Sequence, residues 1–275
     1  MKSGYTIIGE DMSVRHFTAA DFADGINSFD PITGDHCHDK YEITYLISAS
    51  GRYIIEGSTH NVAHGSLAVI RPLSYHKVIF DPDEEIEGYT VYFSKSVLSD
   101  GIAEMLDLLS GEVDVHGRFY SRAVLSEALI SVFDRFEESK SLKQTERKAY
   151  MQALLTEMII LLRASAGDAI INNDDELGAR VARYLNVNFR KNICLDRLAR
   201  RFFVSKYHLC RAFKAYSGIS VHAYVNHKRI IYAKTLIESG ITASSAAEKV
   251  GFGDYSAFYR AYVKIVGRSP TAINQ

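Results

Sequence analysis

The stretch HCHDKYE, His36 to Glu42, holds two imidazoles two residues apart and a carboxylate four residues after the second. Imidazole nitrogen and carboxylate oxygen are the donor types of zinc and of other first-row divalent metals. A strand's period of two places His36, His38 and, if the strand continues, Glu42 on one face. Three chemistries share such a face. A metal with open positions can run oxygenase, isomerase or hydrolase chemistry. The same polar groups can line a pocket that senses a sugar, a carboxylate or a metal. They can also be an internal hydrogen-bond network that holds a domain together. The spacing leaves all three open.

The other end of the chain offers a different chemistry. Residues 177–275 carry 17 Lys and Arg against 4 Asp and Glu, a balance of +13, whereas residues 1–176 carry 15 against 29, a balance of −14. The whole-chain charge of −1 conceals this split. A basic third on an acidic front implies two units with different partners, the basic one being suited to a polyanion. Within it, LDRLARRFFVSKYHLCRAFKAYSG reads as two short helices. Leu195, Leu198, Ala199 and Phe202 share one apolar face. Ser205 caps a second helix with Leu209, Ala212, Phe213 and Tyr216 inward, stopped by Gly218. That is the outline of a helix-turn-helix, with Lys206, Tyr207, Cys210, Arg211 and Lys214 on the outer face. The outline repeats in ASSAAEKVGFGDYSAFYRAYVKIVG. Ala246, Ala247 and Val250 precede the turn, and Phe258, Tyr262 and Ile265 face inward after it. Tyr255, Ser256, Tyr259, Arg260 and Lys264 face outward. VHAYVNHKRIIYAKTLIES, about five helical turns, joins the two outlines. Two reading helices on one rod suit successive major grooves about 34 Å apart.

The elements that must position the histidines differ. From about Tyr5 to Phe93, runs such as EITYLIS, GRYIIEG, GSLAVIRP, HKVIF and GYTVYFS are rich in Val, Ile, Tyr and Phe and punctuated by Gly, Pro, Asp and Ser. They predict a β-sandwich or barrel. From about Ser96 to Arg163 the period becomes helical. Met151, Leu154, Leu155, Met158, Leu161 and Leu162 make one stripe, and Val124, Leu125, Ala128, Val132 and Phe136 another. We expect this segment to pack on the barrel and to dimerise. ASAGDAIINNDDE breaks the pattern and reads as a linker, with acids at the start of the next helix. The expected organisation is a barrel over 1–95, a helical dimerisation segment over 96–170, a linker over 171–176 and a helical domain over 177–275. No run approaches the ~18 apolar residues of a membrane span, and the start of the chain has no signal-peptide core. The three cysteines, Cys37, Cys194 and Cys210, have no CxxC spacing. Both features lead us to expect a cytoplasmic protein.

The stretch from Val181 to Pro270 resembles the DNA-binding domain of the AraC/XylS family of bacterial transcription regulators. The segments that match are VSKYHLCRAFKAYSGIS, KRIIYAKTLIESG, VGFGDYSAFYRAY and VGRSP, with Gly251, Phe252, Asp254, Phe258, Arg260, Gly267 and Pro270 in place. The resemblance implies base-reading positions at Tyr207, Cys210 and Arg211, and at Tyr255, Ser256, Tyr259 and Arg260. It implies phosphate contacts for Lys206, Lys214 and Lys264. Arginine pairs bidentately with guanine; tyrosine stacks on sugars or meets thymine methyls. Three departures stand out: Cys210 in place of a larger polar or basic residue, Ala246 in place of a larger aliphatic, and a C-terminus without the usual Tyr-Arg ending.

The family's regulatory domains often resemble a cupin, and GSLAVIRPLSYH then brings in His76. In metal-binding cupins the positions matching His36, His38, Glu42 and His76 hold a divalent metal. Arg71, before Pro72, would be the partner of an anionic effector, and Tyr45, Tyr53 and Tyr92 would offer stacking surfaces to a sugar. The fold class implied is α+β: a cupin-like β-barrel with flanking helices, then an all-α domain with two helix-turn-helix units on a long helix. The function implied is a homodimeric, cytoplasmic regulator, nucleoid-associated when bound, that binds promoter DNA, answers to a small sugar or carboxylate and works with RNA polymerase. Two rivals remain: a cupin metalloenzyme with a basic tail, and a regulator whose barrel is purely structural.

Overall fold

The structure is a computed structural model that describes residues 5–8, 11–21, 37–56, 58–82, 84–110, 115–165, 168–171 and 176–271. The chain divides into two compact units, one built chiefly from Lys40–Ile171 and one chiefly from Asn172–Gln275.

The described residues of the first unit form ten strands: β1 (Tyr5–Ile8), β2 (Met12–Thr18), β3 (Tyr41–Ser48), β4 (Gly51–Ile55), β5 (Ser58–Val62), β6 (Ser66–Ile70), β7 (His76–Phe80), β8 (Glu87–Phe93), β9 (Val115–Tyr120) and β10 (Asp168–Ile171). They form two antiparallel sheets, one ordered β1-β2-β8-β3-β6-β9-β10 and one ordered β5-β4-β7. Among the described residues, three α-helices accompany them, besides short 3-10 turns: α1 (Asp100–Ser110), α2 (Glu127–Glu138) and α3 (Gln144–Ala164). The segment expected to be helical thus also supplies β9 and β10. Alternation in a six-residue and a four-residue strand is too brief to stand out between two helical stripes.

Strands β3, β6 and β8 are buried along almost their whole length. That requires cover on both faces, which fits their near-continuous apolar sequence. On one face Tyr41, Ile43, Tyr45, Val69, Tyr89, Val91 and Phe93 join Leu129, Val132, Phe133 and Phe136 of α2 and Met151, Leu155 and Met158 of α3 in one core. On the other, Phe17, Leu46, Ala68 and Ile70 meet Tyr53, Ile55, Val62 and Val78 of the small sheet. The buried stripe on α3 keeps five of the six residues of the sequence reading, gains Ile159 and leaves Leu161 half-buried. On α2 the inward set is Leu129, Val132, Phe133 and Phe136. Val124 is exposed because the helix begins only after Ser126, whose hydroxyl accepts from the Leu129 N–H, and Ala128 is exposed on the outer side of the first turn.

The second unit is all helical: α4 (Leu177–Asn188), α5 (Leu195–Arg201), α6 (Lys206–Ser217), α7 (Val221–Glu238), α8 (Ala243–Lys249) and α9 (Tyr255–Val266). Four of these helices start on a side chain that accepts a backbone N–H of the first turn: Ser205, Ser220, Thr242 and Asp254. Such caps satisfy donors that the first turn leaves without partners. Helices α6 and α9 stop at Gly218 and Gly267, both with positive φ, as left-handed C-caps favour. Leu198, Ala199, Leu209 and Phe213 are buried in the first pair of helices. Ala246, Ala247, Val250, Phe258 and Tyr262 are buried in the second, against Ile230, Ala233 and Ile237 of α7. Helix α7 is tied to the end of α4 by Arg229, which donates to the carbonyls of Phe189 and Lys191 at 2.6 and 2.7 Å.

The candidate sensor face and the candidate nucleic-acid interface

In the first unit the polar residues gather on the face between the two sheets. The Glu42 carboxylate is their centre. Its Oε1 accepts from the Thr44 hydroxyl at 2.6 Å and the Tyr53 hydroxyl at 2.9 Å, and its Oε2 lies 2.9 Å from Nε2 of His76. The side chains of His76 and Glu42 are 1% and 3% exposed. Nδ1 of His76 lies 2.8 Å from the Ser74 carbonyl, which can only accept. Nδ1 therefore carries a proton. Nε2 faces the Glu42 carboxyl, an arrangement that favours the imidazolium form. Burial works against that charge, but the charge and hydrogen bond of Glu42, the Ser74 carbonyl and the charge of Glu56 together outweigh it, and the His76 pKa is raised above its usual 6.5. Burial, and then the charge of Glu42, pushes the Tyr53 phenol well above its ordinary value, so it stays a donor.

Strand pairing explains the gathering. Tyr92 of β8 lies opposite Glu42, and Thr90 lies opposite Thr44, with hydroxyls 3.1 Å apart. Arg15 of β2 lies opposite Thr90 in turn, and its guanidinium is 3.7 Å from the Asp21 carboxylate. A reciprocal pair of bonds, Glu56 N–H to the Tyr75 carbonyl and Tyr75 N–H to Glu56 Oε1, holds the connection that delivers His76.

Of the residues expected at an effector site, the structure thus brings together Glu42, Tyr53, His76 and Tyr92. His38 is half-buried in the segment before β3, outside the strand. The strand period therefore does not place it. His36 lies outside the described residues. Arg71 is half-buried in the turn after β6, where its carbonyl accepts from the Ser74 N–H. Tyr45 is on the opposite face: its ring stacks on Phe133 of α2 at 4.7 Å. The period of two that puts Glu42 and Thr44 inward sends Tyr45 to the helices. Thr44, Thr90, Arg15 and Glu56 escaped the sequence reading. For Thr44 the signal was present, two residues after Glu42; the other three depend on pairing between distant strands.

In the second unit, Tyr207, Arg211 and Lys214 are exposed on α6, and Cys210 is half-buried. Lys206 is exposed too, with Nζ 3.3 Å from Asp196 of α5, a surface pair of small energetic value. On α9, Tyr255, Ser256, Tyr259, Arg260 and Lys264 are all exposed. The Asp254 cap, which accepts from Ser256 and Ala257 at 3.2 and 2.8 Å, fixes how that helix starts. Each outward set shares its helix with a buried apolar set, so folding leaves the cationic faces in solvent.

Residues 30–155 match the family described as AraC-like ligand binding domain, and residues 198–275 match a helix-turn-helix domain. The chain belongs to the AraC family of transcription regulators. Its AraC-family relatives include the HTH-type transcriptional activator RhaS of Citrobacter koseri, 24% identical over 247 residues, covering 88% of this chain and 87% of the relative. RhaS of Klebsiella pneumoniae is similar to the same extent. Among solved structures, ToxT of Vibrio cholerae is 14% identical, with a TM-score of 0.40 over 96% of this chain and 97% of that one. The DNA-binding domain of AdpA, solved with a target DNA, is 23% identical, with a TM-score of 0.34 over 36% of this chain and 89% of that one. Like other AraC-family regulators, this chain combines an effector-binding domain with a DNA-binding domain. No described helix is long and apolar enough to cross a membrane.

Proposed function

We propose that this regulator reads two successive major grooves of promoter DNA through α6 and α9, and that a small sugar or carboxylate bound between the two sheets of the first unit sets its occupancy. The observation that carries the first half is the repeated helix-turn-helix with its outward residues exposed. Arg211 and Arg260 make bidentate base contacts, with Tyr207, Cys210, Tyr255, Ser256 and Tyr259 beside them. Lys206, Lys214 and Lys264 meet phosphates. The polar face around Glu42, Tyr53, His76 and Tyr92 supports the second half, with Arg71, in the turn after β6, as the partner of an anionic effector. Tyr45 has no part in it.

Glu42 and His76 supply two of the four donors expected of a divalent-cation site, His36 and His38 being the other two. The bond from Nδ1 of His76 to the Ser74 carbonyl is the outer support that a ligating imidazole needs. A bound ion would take the place of the proton on Nε2. Such a cation would act as an effector or a structural ion, a reading supported by relatives that are transcriptional activators. The chain works as a cytoplasmic homodimer through the helical segment, with boundaries near 95, 170 and 177, and contacts RNA polymerase at the promoter. A second copy raises occupancy of paired half-sites by effective concentration. The effector acts by binding one conformational state better than another.

Selection of bound fragments from genomic DNA by the full chain tests the first half; failure to enrich any sequence over random competitor refutes it. Thermal shift with sugars, carboxylates and divalent cations tests the second. A ligand at ~100 times its Kd adds about 2.7 kcal/mol of stability, and no shift across the panel refutes a sensing role.

A further inference from the structure

The turn between α5 and α6 contains a residue that local energetics would not choose. Phe203 has φ of 57°, in the left-handed region, and is 93% exposed. A bulky side chain is strained there, and an apolar ring gains nothing from water. The second helix-turn-helix shows the alternative. Val204 N–H donates to Ala199 in the first turn, as Phe252 N–H donates to Ala247 in the second. The residue before each of these donating amides is Phe203 in one and Gly251, φ 91°, in the other. Glycine takes this conformation without cost; the first unit keeps a phenylalanine. Backbone strain at an exposed site directs attention to function.

In a helix-turn-helix the first helix crosses the sugar–phosphate backbone and the second enters the major groove by its N-terminal residues. The turn between them lies where backbone meets groove. Around Phe203, Arg200, Arg201 and Lys206 are exposed, so the surroundings of the ring suit a polyanion. We infer that the Phe203 ring packs on the deoxyribose flank of the duplex, at the rim of the groove that α6 enters. The inference rests on the DNA-binding reading above. The contact is apolar and sequence-independent, and it adds to the phosphate and base contacts already assigned.

The test uses the full chain and the tightest duplex that it selects from a random pool, with affinity measured at several salt concentrations. Phe203→Gly is expected to bind about tenfold more weakly, by the same factor on unrelated duplexes. Its salt slope stays that of the parent, because no cation is lost. Its melting temperature is no lower, because glycine accepts the backbone geometry. Phe203→Tyr keeps the ring and binds within about twofold of the parent. Parental affinity in Phe203→Gly overturns the inference while leaving the DNA-binding reading intact. So does a loss confined to one base position, or a flattened salt slope. A lowered melting temperature in both Phe203→Gly and Phe203→Asn, which also tolerates positive φ, would make the ring structural and overturn it too. If the parent retains no duplex at all, both readings fall together.

Discussion

Consider the buried pair at the centre of the polar face between the sheets, taken apart by a double-mutant cycle. Glu42→Leu removes the carboxylate that receives the Thr44 and Tyr53 hydroxyls and faces His76. Breaking a buried ion pair from one side costs about 3–5 kcal/mol, because the remaining charge loses its counter-charge. His76→Leu leaves a buried carboxylate, but with two hydroxyl donors still in place, so its cost belongs at the lower end of that range. The double variant leaves neither charge of the pair, and we expect its cost to fall short of the sum by roughly 2–3 kcal/mol. The pH profile supplies the second arm. A folded-state pKa raised above 6.5, as that of His76 is, gives stability that is fully present below 6.5. That stability is lost as pH rises through the folded pKa. The parent should therefore weaken as pH rises above 6.5 and through the raised folded pKa, and the His76→Leu variant should lose that slope. Urea unfolding followed by tyrosine fluorescence suits a chain with 17 Tyr and no Trp. Additive costs, or identical pH profiles for parent and His76→Leu, would refute the charged pair.

Other outcomes follow from the same geometry. Zinc titrated into the protein should bind more tightly at about pH 8 than at about pH 6 and release protons, read by calorimetry in buffers of different ionisation enthalpy, since the ion competes with the proton on Nε2 of His76. Arg211→Ala and Arg260→Ala should each cost about 1–3 kcal/mol and relax preference at one base position. Lys264→Ala should weaken all sequences alike and reduce the salt slope by about one unit; a binding matrix of duplexes against variants distinguishes the three. Asp254→Ala should cost about 1 kcal/mol of stability by uncapping α9, seen as a lower thermal midpoint. Gly251→Ala should be worse, because a Cβ there would sit 2.1 Å from the Arg190 carbonyl oxygen.

The second unit was legible almost residue by residue, because its information is local. Ser205 and Gly218 bracket α6 by capping rules, and Leu209 and Phe213 mark its inner face at helical spacing. The first unit was legible in kind but less so in detail. Glu42 and His76 stand 34 residues apart, and only the stacking of a large sheet on a small one brings them into contact. Tyr45 shows the limit of the sequence reading. Its type suited a stacking role, but its parity along β3 decides its face, and that strand starts at Tyr41 rather than running on from the histidines. Phe203 was hidden for a different reason: the doublet Phe202-Phe203 looks like core, and only the backbone angle shows that one ring leaves it.

The strand β3 also has a consequence for how such a protein can change over generations. Its odd-numbered residues Tyr41, Ile43 and Tyr45 serve the helical side, and its even-numbered Glu42 and Thr44 serve the other. A lineage can therefore rewrite the chemistry of one side, two letters at a time, without touching the surface on which the helices rest. The taste of the protein and the integrity of its scaffold are inherited on separate tracks of one ribbon.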